Sequence, residues 1–303
     1  MVGCPSVESD PDAVEADPRP LPTVSLMPIV RSASAVKARR SYRLIAIDLD
    51  GTLVDGQNNM SEAVERAVQE ARARGVEVVL VSGRPRIAVL PIFRKLGLVL
   101  PVISSGGAHV SDPTSGRMID EVLPPSPDLA VLVRLARSAG LTMVFEGSDA
   151  LYCEGSAIVR EVMQTALQQP IESVEDGLLA CAEPIQLTAC GPRAQLDRLE
   201  AEIGTRALAL SAVLAGSEYL EVTAQGVSKG AALELVAQYL GVSLTEIAVI
   251  GNGHNDISMF RAAGLAIAMG DAAPEVQAAA DVVAPTIGED GVAWALRQMV
   301  LGR

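Results

Sequence analysis

The sequence predicts an α/β fold: a parallel-sheet core with a second, α+β domain inserted into it. Three observations predict it. Short apolar runs at residues 44–47, 76–81 (interrupted only by Glu77) and 247–250 have the length of strands buried on both faces. Helical patterns separate these runs, and each run ends in glycine or polar residues, where ligands of parallel sheets bind. The pattern breaks near residue 110 and resumes near residue 216, and 303 residues are enough for two domains.

The first run, Leu44-Ile45-Ala46-Ile47, continues into Asp48-Leu49-Asp50-Gly51-Thr52-Leu53. A loop follows over 55–60. Ser61 is a good N-cap, and Ala63, Val64, Ala67, Val68 and Ala71 recur at helical spacing until Gly75 closes the helix. The run at 76–81 stops at Ser82-Gly83-Arg84-Pro85. A helix is expected over 91–96, with Gly97 as its stop. A third strand over 101–104 ends in Ser105-Gly106-Gly107, so 44–107 reads β-α-β-α-β.

A turn cluster at 111–116 and the breakers Pro124, Pro125 and Pro127 then mark a change of character. Helices over 128–139, 156–168 and 192–203 alternate with strands over 141–145 and 185–189. Residues 219–222 read as a strand returning to the core. The first pattern resumes with a helix over 228–240 stopped by Gly241, a strand over 247–250, a helix over 257–263 and a strand over 265–269. Pro274 opens another helix, and 281–283 is a last short strand. These readings place the core at 41–109 and 216–303 and the inserted domain at 110–215. Residues 1–40, rich in acids and proline, are expected to be a disordered tail, with Met27 as an alternative start.

Composition narrows the function. The formal net charge is −13, which argues against nucleic acid and anionic membranes as partners. Aromatic residues are only 3%, so base stacking is poorly supplied. No apolar run approaches the ~20 residues of a membrane span. The four cysteines (Cys4, Cys153, Cys181 and Cys190) form no Cys-x-x-Cys pair and read as free thiols of a cytoplasmic protein.

The chemistry-bearing residues follow strands. Alternation puts Asp48 and Asp50 on one side of the chain at a strand end, where buried acids are costly unless they have work to do. Two such carboxylates invite a divalent cation. One can attack an electrophile while the other donates a proton to the leaving group. Ser82-Gly83 offers a hydroxyl and free N–H groups for a phosphate. Ser228-Lys229-Gly230 opens a helix with a cation that opposes the macrodipole, a broken local rule of the kind that marks function. Asn252, Asn255 and Asp256 carry oxygens suited to a hard cation. His254, between them, is read as incidental.

In this order, Asp48-Leu49-Asp50-Gly51-Thr52, Ser82-Gly83-Arg84-Pro85, Val227-Ser228-Lys229-Gly230 and Gly251-Asn252-Gly253-His254-Asn255-Asp256 resemble the four motifs of the haloacid dehalogenase-like superfamily. The chain is most similar to its Cof-type, sugar-phosphatase-like branch over residues 43–299. The resemblance implies a Rossmann-like core with a large α+β cap. It implies a Mg²⁺-dependent phosphatase of small phosphate monoesters. Asp48 would form an aspartyl-phosphate, and Asp50 would be the general acid and then the base. Ser82, Gly83, Lys229 and Asn255 would hold the phosphoryl oxygens. Asp48, Asp50 (through its carbonyl), Asn252 and Asp256 would serve Mg²⁺, with Asp256 in or just behind the metal shell. A phosphomutase or phosphotransferase built on the same intermediate, or a non-catalytic ligand-binding homologue, are the alternatives. The partner implied is a small phosphorylated metabolite, bound by a monomer or homodimer. Two departures stand out: Asn252 occupies a position that is usually Asp, which removes one negative charge, and Ser105-Gly106-Gly107-Ala108 stands where Asn-Gly-Ala is frequent, so that Asn is lost.

Overall fold

The computed structural model describes residues 42–215 and 217–302. The expected tail, with Cys4 and Met27, lies outside them. Two sheets carry the molecule. The first begins with β1 (Leu44–Asp48) and β2 (Glu77–Val81), joined by helix α1 (Glu62–Ala73), which Ser61 caps by accepting the N–H of Val64 at 3.2 Å. Helix α2 (Arg86–Lys95) leads to β3 (Val102–Ser104), and a hairpin of β4 (His109–Asp112) and β5 (Arg117–Glu121) follows.

The inserted domain contains α3 (Ser126–Ser138), β6 (Thr142–Glu146), β7 (Leu151–Glu154), α4 (Ala157–Leu167) and β8 (Glu172–Ser173). It continues with β9 (Gln186–Cys190), α5 (Arg193–Thr205), β10 (Leu210–Ala215) and β11 (Tyr219–Ala224). The chain returns through α6 (Lys229–Leu240), β12 (Ile247–Gly251), α7 (Ile257–Ala262), β13 (Leu265–Ala268), α8 (Pro274–Ala278) and β14 (Val282–Val283).

The first sheet runs β14-β13-β12-β1-β2-β3-β4-β5. It is parallel from β14 to β3, and β4 and β5 add an antiparallel edge. β1 is central, and all five of its residues are buried. Ile45 and Ile47 pack toward α1 on one face, and Leu44 and Ala46 pack toward α6 and α7 on the other. This two-sided burial explains why the runs at 44–47 and 247–250 are apolar throughout.

The second sheet runs β10-β11-β9-β6-β7-β8 and is antiparallel except at β7 and β8. Met143, Phe145, Leu187, Ala189, Leu220 and Val222 turn one face into a core against α3 and α5. The alternate residues face the first domain, so period two decides which side chains meet the site. Cys153, Cys181 and Cys190 are free and buried in this domain. Among the described residues no helix is long and apolar enough to cross a membrane.

The sheets move the expected boundaries. The hairpin to Glu121 extends the first sheet, past the expected boundary at 110, because β3 offers it an open edge. Residues 219–224 pair with β9 and β10 in the second sheet and are no return strand of the core. The helix expected over 91–96 starts at Arg86 and holds Pro91 inside it. Between the expected strand over 141–145 and the expected helix over 156–168 the structure adds β7.

Candidate active site

Asp48 ends β1 and is only 4% exposed. A carboxylate so placed needs a partner. Lys229, the first residue of α6 and itself buried, supplies it: its Nζ donates to Asp48 Oδ1 at 2.6 Å and to Asp256 Oδ1 at 2.6 Å. Burial opposes the charge on Lys229, but Asp256 and Asp48 outweigh it and hold the ammonium above the ordinary lysine range. This pairing also offsets the cost of a cation at a helix N-terminus. Asp48 itself is pushed up to about 7, by burial first and by Asp256 second, against the pull of Lys229.

Asp256 closes its own loop. Its Oδ2 accepts the N–H groups of Asn252 and Gly253, each at 2.8 Å. Asn252 Oδ1 accepts the Thr52 hydroxyl at 3.2 Å, which ties the turn after β1 to the turn after β12. His254 lies outward and pairs with Glu275 at 2.9 Å.

Asp50 stands at the mouth, its side chain 56% exposed. The Arg84 guanidinium grips both of its oxygens, with Nε to Oδ2 at 2.8 Å. Such a bidentate pair fixes the orientation of the carboxylate. Arg84 also donates to Asn58, and Asn58 Nδ2 reaches the Ala166 carbonyl of α4 at 2.9 Å, which links this acid to the second domain. Ser82 is fully buried, and its Oγ accepts the Arg84 N–H at 3.0 Å.

A cavity of ≈ 400 Å³ lies between the sheets. Asp48, Asp50, Gly83, Asn252 and Asn255 line its core side. Val144, Glu146, Gln186, Thr188, Tyr219 and Glu221 line the other. Ser82, Lys229 and Asp256 stand behind the core wall. The residues singled out in the sequence therefore converge on one place, some as lining and some as support.

Five residues here were not foreseen as site residues: Asn58, Arg84, Glu146, Gln186 and Glu221. Burial pushes Glu146 up to about 8, although Ser105 Oγ donates to its Oε1 at 2.7 Å. Burial pushes Glu221 up to about 7, with Lys229 opposing. The available signal was alternation: Glu146 and Glu221 occupy the positions of β6 and β11 that face the site, where an apolar residue packs best.

Asp48, the Asp50 carbonyl and the Asn252 amide are hard oxygen donors, the chemistry that Mg²⁺ prefers. An amide oxygen has two lone pairs, so Asn252 can keep its bond from Thr52 and still serve a cation. Among the described residues no three acid, His or Cys side chains form a metal-type cluster. Asn252 contributes an amide where a further carboxylate would count.

Residues 45–296 match the model of the haloacid dehalogenase-like hydrolases. The chain belongs to this family. It is 30% identical to the phosphatase YwpJ of Bacillus subtilis (strain 168), over 85% of this chain and all of that protein. A haloacid dehalogenase-like hydrolase from Bacteroides thetaiotaomicron superposes with a TM-score of 0.79 at 28% identity, covering 86% of this chain and all of that one. A structure of a subclass IIB sugar phosphatase of the superfamily has a TM-score of 0.77 at 24% identity, covering 84% of this chain and 98% of that one, and shares the fold. This haloacid dehalogenase-like hydrolase is an enzyme, a phosphoric monoester hydrolase.

Proposed function

We propose that this hydrolase cleaves small phosphate monoesters, sugar phosphates or similar metabolites, through an aspartyl-phosphate at Asp48 in a Mg²⁺-dependent reaction. The observation that carries the reading is Asp48 itself. It is a buried carboxylate at a strand end, bonded by a Lys229 that Asp256 holds in place, and it opens on the cavity between the two sheets.

The steps follow from the residues. An Asp48 oxygen attacks phosphorus, and the bond from phosphorus to the leaving oxygen breaks. Asp50, at the mouth, gives that oxygen a proton. Asp50 then takes a proton from water, whose oxygen attacks phosphorus and frees Asp48 and inorganic phosphate. Lys229 offsets negative charge beside the nucleophile, the main task in phosphoryl transfer. Asn255 and the Gly83 loop hold phosphoryl oxygens, with Ser82 bracing the loop from behind. Asp48, the Asp50 carbonyl and Asn252 would hold Mg²⁺, with Asp256 behind them. When bound, Mg²⁺ supplies positive charge that keeps Asp48 ionised and neutralises the phosphoryl group.

The test is hydrolysis of p-nitrophenyl phosphate with Mg²⁺, with EDTA and in Asp48→Asn. Turnover that requires the metal and disappears in the variant is expected. Turnover that survives Asp48→Asn overturns the mechanism.

A further inference from the structure

The wall of the cavity opposite Asp48 is built from acceptors. Glu146 and Gln186 face each other across the β6–β9 pair, and each is 3% exposed. Glu146 Oε2 and Gln186 Oε1 are buried without a hydrogen-bond partner. Gln186 is anchored only through its Nε2, which donates to the Gly83 carbonyl at 3.3 Å. Glu221, on β11, reaches the same Gly83 loop: a Cβ at Gly83 would lie 2.8 Å from Glu221 Oε2. Among the described residues neither Glu146 nor Glu221 makes an ion pair.

The cations nearby are already engaged. Arg84 holds Asp50, and Lys229 is shared between Asp48 and Asp256. A buried carboxyl group without an ion-pair partner, as at Glu146, and buried acceptors without donors are costly features. A neutral polyol would supply donors but nothing that favours the ionised form of either acid. An ammonium supplies donors and charge together. Tyr219, two residues before Glu221 on the same face of the strand, adds an aromatic ring to the wall for the cation.

We propose that Glu221 and the Glu146–Gln186 pair form a subsite for a protonated amine, so that the preferred substrates are phosphate monoesters whose leaving group carries an ammonium. The inference rests on the phosphatase reading above and narrows its substrate class.

Two matched pairs of different reach test it: glucosamine 6-phosphate against glucose 6-phosphate, and phosphoethanolamine against ethyl phosphate. In at least one pair the amine is expected to have a kcat/KM about tenfold higher, equivalent to about 1.4 kcal/mol. N-acetylglucosamine 6-phosphate, which lacks the charge, loses that advantage. Glu221→Gln and Glu146→Gln, which keep shape and remove charge, bring the ratio toward one. Equal kcat/KM within both pairs overturns the subsite, as does a ratio unchanged in both variants. Calorimetric binding of the same pairs to Asp48→Asn reads the preference without turnover. If p-nitrophenyl phosphate is hydrolysed and neither pair discriminates, the subsite alone fails. If nothing is hydrolysed but the amines bind about tenfold tighter, the subsite stands and the phosphatase reading falls.

Discussion

On the core side of the cavity Asp48, Asp50 and Asp256 each pair with a cation, whereas on the wall of the second sheet Glu146 and Glu221 make no ion pair among the described residues. The two walls carry similar groups and treat them oppositely. The core wall pairs its acids with Lys229 and Arg84 before any substrate arrives, although burial still pushes Asp48 up to about 7. The other wall keeps its acids neutral or uncompensated, and burial raises both of their pKa values. The difference separates reaction from recognition: a nucleophile must be ready in advance, while a recognition wall gains its energy from what enters.

The largest effect that could break this contrast is loss of the nucleophile. Asp48→Asn should lower kcat by at least about 10⁴-fold, read with p-nitrophenyl phosphate. Next is the shared cation. Lys229→Met leaves two buried carboxylates without their partner and should cost about 3–5 kcal/mol in urea denaturation, together with most of the activity. A loss under about 1 kcal/mol would show that the core wall is no more self-contained than the other.

Glu146 sharpens the comparison through pH. Its folded-state pKa, about 8, stands above its ordinary value of 4.5. Between these values the folded protein holds a proton that the unfolded chain has released, so stability falls as pH rises through that window. Denaturation at pH 5 and pH 8 should therefore show a smaller loss in Glu146→Gln than in the parent, by up to about 1 kcal/mol per pH unit. Equal losses would mean that Glu146 is ionised in the fold. The smallest effect concerns the metal. Asn252→Asp restores a carboxylate and should lower the Mg²⁺ concentration for half-maximal activity by about tenfold. An unchanged half-saturation would remove Asn252 from the metal set.

The same contrast explains what was legible in the sequence. The core wall is written in short local motifs, because each of its residues sits at the end of a strand or the start of a helix. Asp48, Lys229 and Asp256 could thus be picked out although they lie far apart in the chain. Arg84 was visible as a letter of the second motif, but its grip on Asp50 depends on two turns meeting in space. The recognition wall has no motif. Glu146, Gln186 and Glu221 come from three strands that assemble only through the register of β6, β9 and β11. β5 escaped notice because none of its residues is fully buried, which leaves no apolar alternation to read. The helix expected over 91–96 began too late, because α2 starts at Arg86 and carries Pro91 in its interior.

The buried thiols turn this two-domain design into something measurable. Cys153, Cys181 and Cys190 all belong to the inserted domain, and burial pushes Cys181 up to about 11 and Cys190 up to about 12, leaving scarcely any thiolate at neutral pH. With Cys4 replaced by serine, a thiol-reactive dye would report the opening of one domain while leaving the other silent. The molecule thus carries its own domain-resolved clock, one that a tight ligand bridging both walls should slow.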